Sequence, residues 1–284
     1  MSDRNIYELT SIARPLEPQF PTNRAVLILL PLIAIVCAAW QLVGPGDLPP
    51  VAAALTGTLA AFATWALTRE LAPDDNLAAF VSLVFGTAAV LAGAVDAVLP
   101  TFVALFFVRI VNRSVGNPAT RIDALVVLGL ALGGGWVLDK PLLTWIGAIA
   151  FLFDARLPPG GAAFRFGPTL VALLVPLLWT GTVQIPSFAP QWPVTAFMLA
   201  IIAASVLYLT ALITLRQVQS TGDATGVPLV PARVRAGMVI GLLLALESFI
   251  PSEVLNPLNF DALLWSCIAG VGVGNIAGKM RRKS

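Results

Sequence analysis

The chain contains no histidine, only two cysteines and few charged residues, which make up 11% of the sequence. Without histidine, the usual transition-metal ligand and the usual proton carrier near neutral pH are missing, which excludes a histidine-ligated haem protein or a histidine-based hydrolase. Cys37 and Cys267 lie in apolar segments without paired spacing, so neither a disulfide framework nor a zinc site is expected. The net charge is only +2, and no nucleic-acid partner is expected.

Hydrophobic residues make up 58% of the chain, against about 45–50% in soluble domains. This composition predicts an all-α, polytopic integral membrane protein whose main partner is the lipid bilayer. Residues 25–278 are predicted to form a single transmembrane helical domain. A cytoplasmic tail, 1–24, precedes it, and a short basic tail, 279–284, follows it.

Six apolar segments have the length of one membrane span each: 25–44, 51–68, 166–183, 193–215, 234–250 and 261–278. Two others, 77–111 and 122–153, are too long for one span and short for two. Breakers near their middles are Asp96–Pro100 in the first and Gly133–Gly135 with Asp139–Pro141 in the second. Each is predicted to be either two short crossings or a re-entrant hairpin, which gives about ten crossings or about six.

Loop charges predict the orientation, since Lys and Arg are retained on the cytoplasmic side. With both termini in the cytoplasm, nearly every Lys and Arg falls on that side and only Lys140 faces outward. Six of the seven tryptophans then fall toward the outer ends of their helices, as in an aromatic belt. We therefore predict a multi-pass protein of the inner (plasma) membrane.

The loop between the second and third spans carries Glu70, Asp74 and Asp75. Neighbouring carboxylates at a cytoplasmic membrane face could hold Mg²⁺ against a phosphate, and Asp154 would be a further carboxylate of such a catalytic site. Otherwise the sequence predicts no cofactor. The structural alternative is that Pro73–Asn76 starts a helix, with acidic residues at its positive end.

The next cytoplasmic loop is rich in arginine and predicts a second site. Three arginines interleaved with small polar residues could clamp a phosphate or carboxylate of a small-molecule substrate. The candidate substrate-binding residues are Arg69, Arg109, Asn112, Arg113 and Arg121. The alternative is an ordinary positive loop in which Asp123 caps the following helix.

Acidic residues toward the outer side form a third group. Asp96, Asp139 and Glu247 are candidate intramembrane carboxylates, which are functional hypotheses because burying an unpaired charge is costly. All three lie near predicted outer ends, and no charge lies clearly at the midplane, which argues against an ion-coupled pump.

Gly270, Gly274 and Gly278 share one face of the last span. Small residues at this spacing allow close helix packing, either inside the bundle or with another chain, such as a second copy in a homo-oligomer or a membrane partner.

About ten short spans divided five and five, into halves 25–138 and 141–278, resemble the layout of drug and metabolite exporters. That resemblance implies inverted repeats with a substrate path between them. The sequence thus favours a non-enzymatic permease or exporter of an amphipathic or anionic metabolite. Two alternatives remain open: a membrane-embedded transferase acting on a phosphorylated lipid or isoprenoid, and an accessory or scaffold subunit.

Overall fold

A computed structural model describes residues 10–44, 48–160, 166–180, 196–247, 249 and 261–281. These residues form ten α-helices and no strand, with one isolated β-bridge between Thr221 and Pro228. The helices are α1 (Pro21–Val43), α2 (Pro50–Leu71), α3 (Asn76–Leu91), α4 (Val98–Asn112), α5 (Arg121–Val137), α6 (Pro141–Arg156), α7 (Phe166–Thr180), α8 (Ala196–Thr214), α9 (Pro231–Glu247) and α10 (Ala262–Arg281). The all-helical prediction is confirmed.

Three of these helices, α1, α2 and α10, are long and apolar enough to cross a membrane. They support a membrane protein in general. Four shorter apolar segments accompany them, at 76–91, 98–112, 166–178 and 199–214.

Each of the two overlong segments forms two helices, and both breaks differ slightly from the prediction. The first falls at residues 92–97, where Gly93 has a positive φ of 101°, and Pro100 lies inside the first turn of α4. The second falls only at 138–140, because α5 continues through the three glycines to Val137. At Gly134 a Cβ atom would lie 3.1 Å from Leu143, so glycine here allows α5 and α6 to pack closely.

Helix α4 is the centre of the bundle. It packs against α2, α5, α6 and α9, and it is buried on nearly all sides, as expected for a helix that is apolar all round. Phe107 and Val108 of α4 are fully buried with Phe151 of α6 and Leu244 of α9. A second layer consists of α1, α2, α3, α10 and α8, each packed against the next in that order.

The helix ends fall into two groups. One group, the arginine end, is formed by the α2–α3, α4–α5, α6–α7 and α8–α9 junctions, which side-chain contacts join to one another. Residues 220–229 form a hairpin loop there, closed by hydrogen bonds between Gly222 and Val227 and between Leu229 and Ser220. The other group, the lysine end, joins Lys140 to the end of α9 and the start of α10.

The two predicted tails differ from simple extensions. Residues 10–20 lie packed across the arginine end, and α1 begins at Pro21 instead of 25. Helix α10 continues through residues 279–281, where Lys279 and Arg281 suit the negative end of its dipole. Two further acidic residues on the predicted outer side, Asp47 and Glu253, lie outside the described residues.

Candidate functional site

Arg14 anchors the N-terminal segment to the arginine end. Its guanidinium donates to a Glu70 carboxylate oxygen at 3.0 Å and forms a two-pronged pair with Asp223 of the hairpin loop, at 2.6 and 2.8 Å. Burial lowers the pKa of Arg14, but the facing carboxylates of Glu70 and Asp223 raise it more, so its net pKa is above the ordinary value. Arg14 is therefore a permanent cation that joins three parts of the chain.

Glu70 receives a second arginine from the central helix. Arg109 Nε lies 3.1 Å from the same Glu70 oxygen, and Arg109 also donates to the Ile12 carbonyl at 2.9 Å. Asn112, one turn further along α4, donates to the Glu70 main-chain carbonyl at 2.7 Å. Glu70 is 1% exposed, so its charge is balanced by arginines and not by water.

Beside this network lies a cavity of about 320 Å³. The N-terminal segment, the second half of α2 and the hairpin loop line this partly open cavity, and its wall includes Phe20, Phe62, Trp65 and Arg69. The indole N–H of Trp65 is buried and has no hydrogen-bond acceptor within the described part of the chain. Arg69 donates to Asn76 and forms no ion pair with any of the described residues. The cavity thus combines an apolar wall with Arg69, which has no ion pair among the described residues, while the unsatisfied Trp65 N–H is buried behind its surface. Two further arginines and three carboxylates also line it: Arg14, Arg109, Glu17, Glu70 and Asp223.

A second buried network joins α4, α6 and α9. Arg113 Nε lies 2.8 Å from Asp154 Oδ1, and Arg233 Nη1 lies 3.2 Å from the same oxygen. The Arg233 guanidinium also donates to main-chain carbonyls of Val111, Leu157 and Pro158, at 2.6–2.9 Å. Arg233 therefore donates to carbonyls at and just after the end of α6 that have no partner within the helix, and it holds three helices together.

Arg113 occupies the left-handed position that ends α4, with φ 53° and ψ 49°. Burial lowers its pKa to about 10, which leaves it charged at neutral pH. Its guanidinium donates to the main-chain carbonyls of Asp154 and Pro159 in addition to the Asp154 carboxylate. Its geometry is that of a structural link rather than an open anion clamp.

The predicted carboxylate site does not converge in this structure. Asp75 is the N-cap of α3 and accepts from Ala78 N at 3.1 Å, which confirms the structural interpretation for that residue. Asp74 instead accepts main-chain N–H groups of Gln219 and Ser220 at 2.9 and 2.8 Å, and so fixes the hairpin loop. Glu70 and Asp154 belong to the two separate arginine networks.

Asp123 combines two roles at the start of α5. It forms a capping box with Thr120, as the sequence predicts. It also accepts from Ser11 through both the main-chain N–H, at 2.9 Å, and the hydroxyl, at 3.0 Å. The cap thus holds the N-terminal segment as well.

The structure divides the predicted arginine clamp. Arg109 and Asn112 meet at Glu70, Arg113 goes to Asp154, and Arg69 lies at the cavity. Arg121 is exposed at the start of α5. Of the candidate outer acids, Asp96 and Asp139 are exposed, whereas Glu247 is buried near Lys140.

The glycine face packs inside the bundle over most of its length. A Cβ at Gly270 would lie 2.7 Å from the Ala78 carbonyl, and one at Gly274 would lie 2.8 Å from the Ala78 Cβ, so α3 and α10 approach closely there. Nothing lies within 4 Å of the corresponding position at Gly278.

Several site residues were not predicted from the sequence, namely Arg14, Trp65, Lys140, Asp223, Arg233 and Asp261. Two of them carried a usable signal. Arg233 is a cation in the first turn of a helix, where the dipole disfavours it unless it has a partner. Lys140 is the single cation expected on an otherwise acidic side. Among the described residues, no group of three His, Cys, Asp or Glu could hold a metal ion.

Comparison of the chain with protein-family models, with curated proteins and with solved structures finds no match.

Proposed function

We propose that the chain is a multi-pass inner-membrane permease or exporter for small amphipathic anions, and that the cavity at the arginine end is its cytoplasmic solute site. The observation that carries the proposal is the cavity itself, with its apolar wall, Arg69 in that wall and the unsatisfied Trp65 donor buried behind it. Each of these features complements one part of an amphipathic anion.

The ten-crossing arrangement is supported by the two groups of helix ends. Consecutive helices alternate between the arginine end and the lysine end, as they do when each helix crosses once. Helices of 15–23 residues extend about 23–35 Å, which is comparable to a hydrocarbon layer of roughly 30 Å. Among the described Lys and Arg side chains, Lys140 alone lies at the lysine end, and the positive-inside rule therefore supports a cytoplasmic arginine end.

The cavity favours one class of solute. A carboxylate, sulfonate or phosphate would pair with Arg69. It would also accept from the Trp65 indole once that side chain turns its N–H toward the cavity, and this turn is favoured because an unsatisfied buried donor costs about 1–3 kcal/mol. The rings of Phe20 and Phe62 offer contact area to an aromatic or alkyl body. Arg14 and Arg109 are less available, because both are already paired with carboxylates.

The inverted-repeat architecture of exporters is not part of this proposal. Under a five-and-five division, α8 would correspond to α3, and α5 would correspond to α10. Helix α3 packs extensively on α10, but the described parts of α8 and α5 make no comparable contact. A substrate path at a repeat interface therefore has no support in the packing.

The transferase and the scaffold subunit have weaker support. A transferase needs carboxylates that converge on Mg²⁺, whereas Glu70, Asp74, Asp75 and Asp154 are engaged in four different sets of contacts. A scaffold subunit does not require a cavity with an unsatisfied donor.

Uptake into proteoliposomes tests the proposal. The probe is radiolabelled benzenesulfonate, which stays ionised and so does not cross the bilayer as a neutral acid. Phenyltrimethylammonium, a cation of similar shape, is the matched comparison. We expect the protein to accelerate uptake of the sulfonate only. Arg69→Gln should raise the half-saturation concentration roughly tenfold, because it removes the cation that pairs with the sulfonate, and Trp65→Phe should raise it about fivefold, because it removes the indole donor.

Arg235→Gln is the control, since Arg235 is an exposed arginine at the same end of the bundle. It should leave uptake unchanged. Equal uptake of both probes would rule out the cavity as an anion site. An unchanged half-saturation concentration for the sulfonate in the Arg69 and Trp65 variants would rule it out as well. A folded protein that moves neither probe above empty liposomes would rule out the amphipathic-anion permease.

A further inference from the structure

A buried ionic cluster lies at the lysine end, at the opposite end of the bundle from the arginine networks. Lys140 from the α5–α6 junction, Glu247 from the end of α9 and Asp261 from the start of α10 meet there. Their exposed fractions are 6%, 5% and 2%. The cluster therefore holds two carboxyl groups and one ammonium away from water.

The two carboxyl groups are not equivalent. Lys140 Nζ lies 2.8 Å from Asp261 Oδ2, a direct charge-assisted hydrogen bond. The nearest Glu247 oxygen, Oε2, lies 3.9 Å from the same nitrogen, and this buried oxygen has no hydrogen-bond partner among the residues that the structure describes. Asp261 thus accepts the hydrogen bond from Lys140, and no described residue donates to Glu247 Oε2.

No further cation faces the cluster from the described elements around it. The halves of α2, α4 and α6 nearest this end carry no ionisable side chain, and neither does α9 between Ala236 and Leu246. The nearby acids Asp96 and Asp139 are exposed and would add negative charge. With both carboxyl groups ionised, the cluster would carry a net charge of −1 in a buried site, which costs several kcal/mol.

We propose that the cluster is a proton-binding site in which Glu247 is protonated at neutral pH and exchanges its proton with water. Proton uptake converts the carboxylate to a carboxylic acid and leaves one lysine paired with one aspartate. Exchange needs only a short path, since Glu247 ends its helix and the Asp139 side chain beside Lys140 is exposed. This inference does not depend on the transported solute.

Infrared difference spectroscopy of the full-length protein in nanodiscs tests the proposal. At neutral pH the wild type should show the carbonyl stretch of a protonated carboxyl group, and Glu247→Gln should remove one such band. A rise in pH should remove the same band reversibly. Asp139→Asn, a neutralised exposed neighbour, should leave it in place. A folded Glu247→Gln protein whose spectrum matches the wild type in this region would overturn the proposal.

Thermal unfolding of two variants gives an independent readout. Glutamine mimics the protonated glutamate, so Glu247→Gln should unfold at the wild-type temperature at neutral pH. Asp261→Asn should unfold at a lower temperature, because it removes the carboxylate that pairs with the buried Lys140. If Glu247→Gln is destabilised as strongly as Asp261→Asn, both carboxyl groups are ionised partners of Lys140 and the proton site does not exist.

Discussion

The Arg14 guanidinium donates to the Glu70 carboxylate across 3.0 Å, although fifty-six residues separate them in the chain. The same carboxylate oxygen accepts from Arg109 of the central helix. One buried acid therefore connects the N-terminal segment to α2 and α4 at the wall of the cavity. Any opening of that segment must separate Arg14 from Glu70 and from Asp223.

Removing Arg14 should release the N-terminal segment while leaving the bundle folded. In a Cys37→Ala, Cys267→Ala background, a cysteine at Ile12, which is 5% exposed, should react slowly with maleimide. Adding Arg14→Gln should raise the labelling rate by roughly tenfold or more, because it removes two ion pairs. Arg24→Gln, an exposed arginine nearby, should not change the rate. Equal rates in the two variants would show that Arg14 does not hold the segment.

Arg233→Lys should be strongly destabilising, although it preserves the charge. The guanidinium of Arg233 donates to five main-chain carbonyls and to the Asp154 carboxylate through three nitrogens, and an ammonium cannot reproduce that geometry. We expect a loss on the order of 3 kcal/mol, measured as a lower midpoint of thermal unfolding in detergent. Arg235→Lys, two residues along the same helix and exposed, should unfold like the wild type. A similar midpoint in both variants would contradict the structural role of Arg233.

Helix positions and caps were predictable from the sequence because they depend on local chemistry. Pro73–Asn76 begins a helix, and Thr120 with Asp123 begins another, since a short acceptor side chain can reach the first free N–H groups. The helix breaks were also found, within a few residues. Gly133–Gly135 misled the prediction, because the glycines serve close packing against α6 instead of ending the helix.

The partners of the charged side chains were not predictable from the sequence. Glu70 and Asp74 are four residues apart, yet one binds arginines from two other segments and the other binds a loop almost 150 residues away. Those choices depend on which helix ends meet in the bundle. Spacing along one loop suggested a shared site, whereas tertiary packing divides it between two networks and a cavity.

Gly270→Ala should destabilise the bundle, whereas Gly278→Ala should not. A methyl group at 270 would press on the Ser82 side chain and on the Ala78 carbonyl of α3, and overpacking of this kind costs roughly 1–3 kcal/mol. At 278 there is open space, and alanine is the better helix former. Thermal unfolding of the two variants checks this. Equal midpoints would mean that α3 and α10 do not pack as closely as described.

Single cysteines at the two ends of the bundle test the crossing number. In the background without native cysteines, Asp96→Cys and Asp139→Cys lie at the lysine end, whereas Arg121→Cys and Gln217→Cys lie at the arginine end, all at exposed positions. A membrane-impermeant maleimide applied from outside should label only the first pair, and labelling of the second pair should require access from the cytoplasm. Positions 96 and 139 lie at the tips of the α3–α4 and α5–α6 hairpins, so their labelling distinguishes full crossings from re-entrant hairpins. Labelling of 96 and 139 only from the cytoplasm would make these hairpins re-entrant, reduce the crossings to about six, and place the Glu247 cluster and the cavity on the same side of the bilayer.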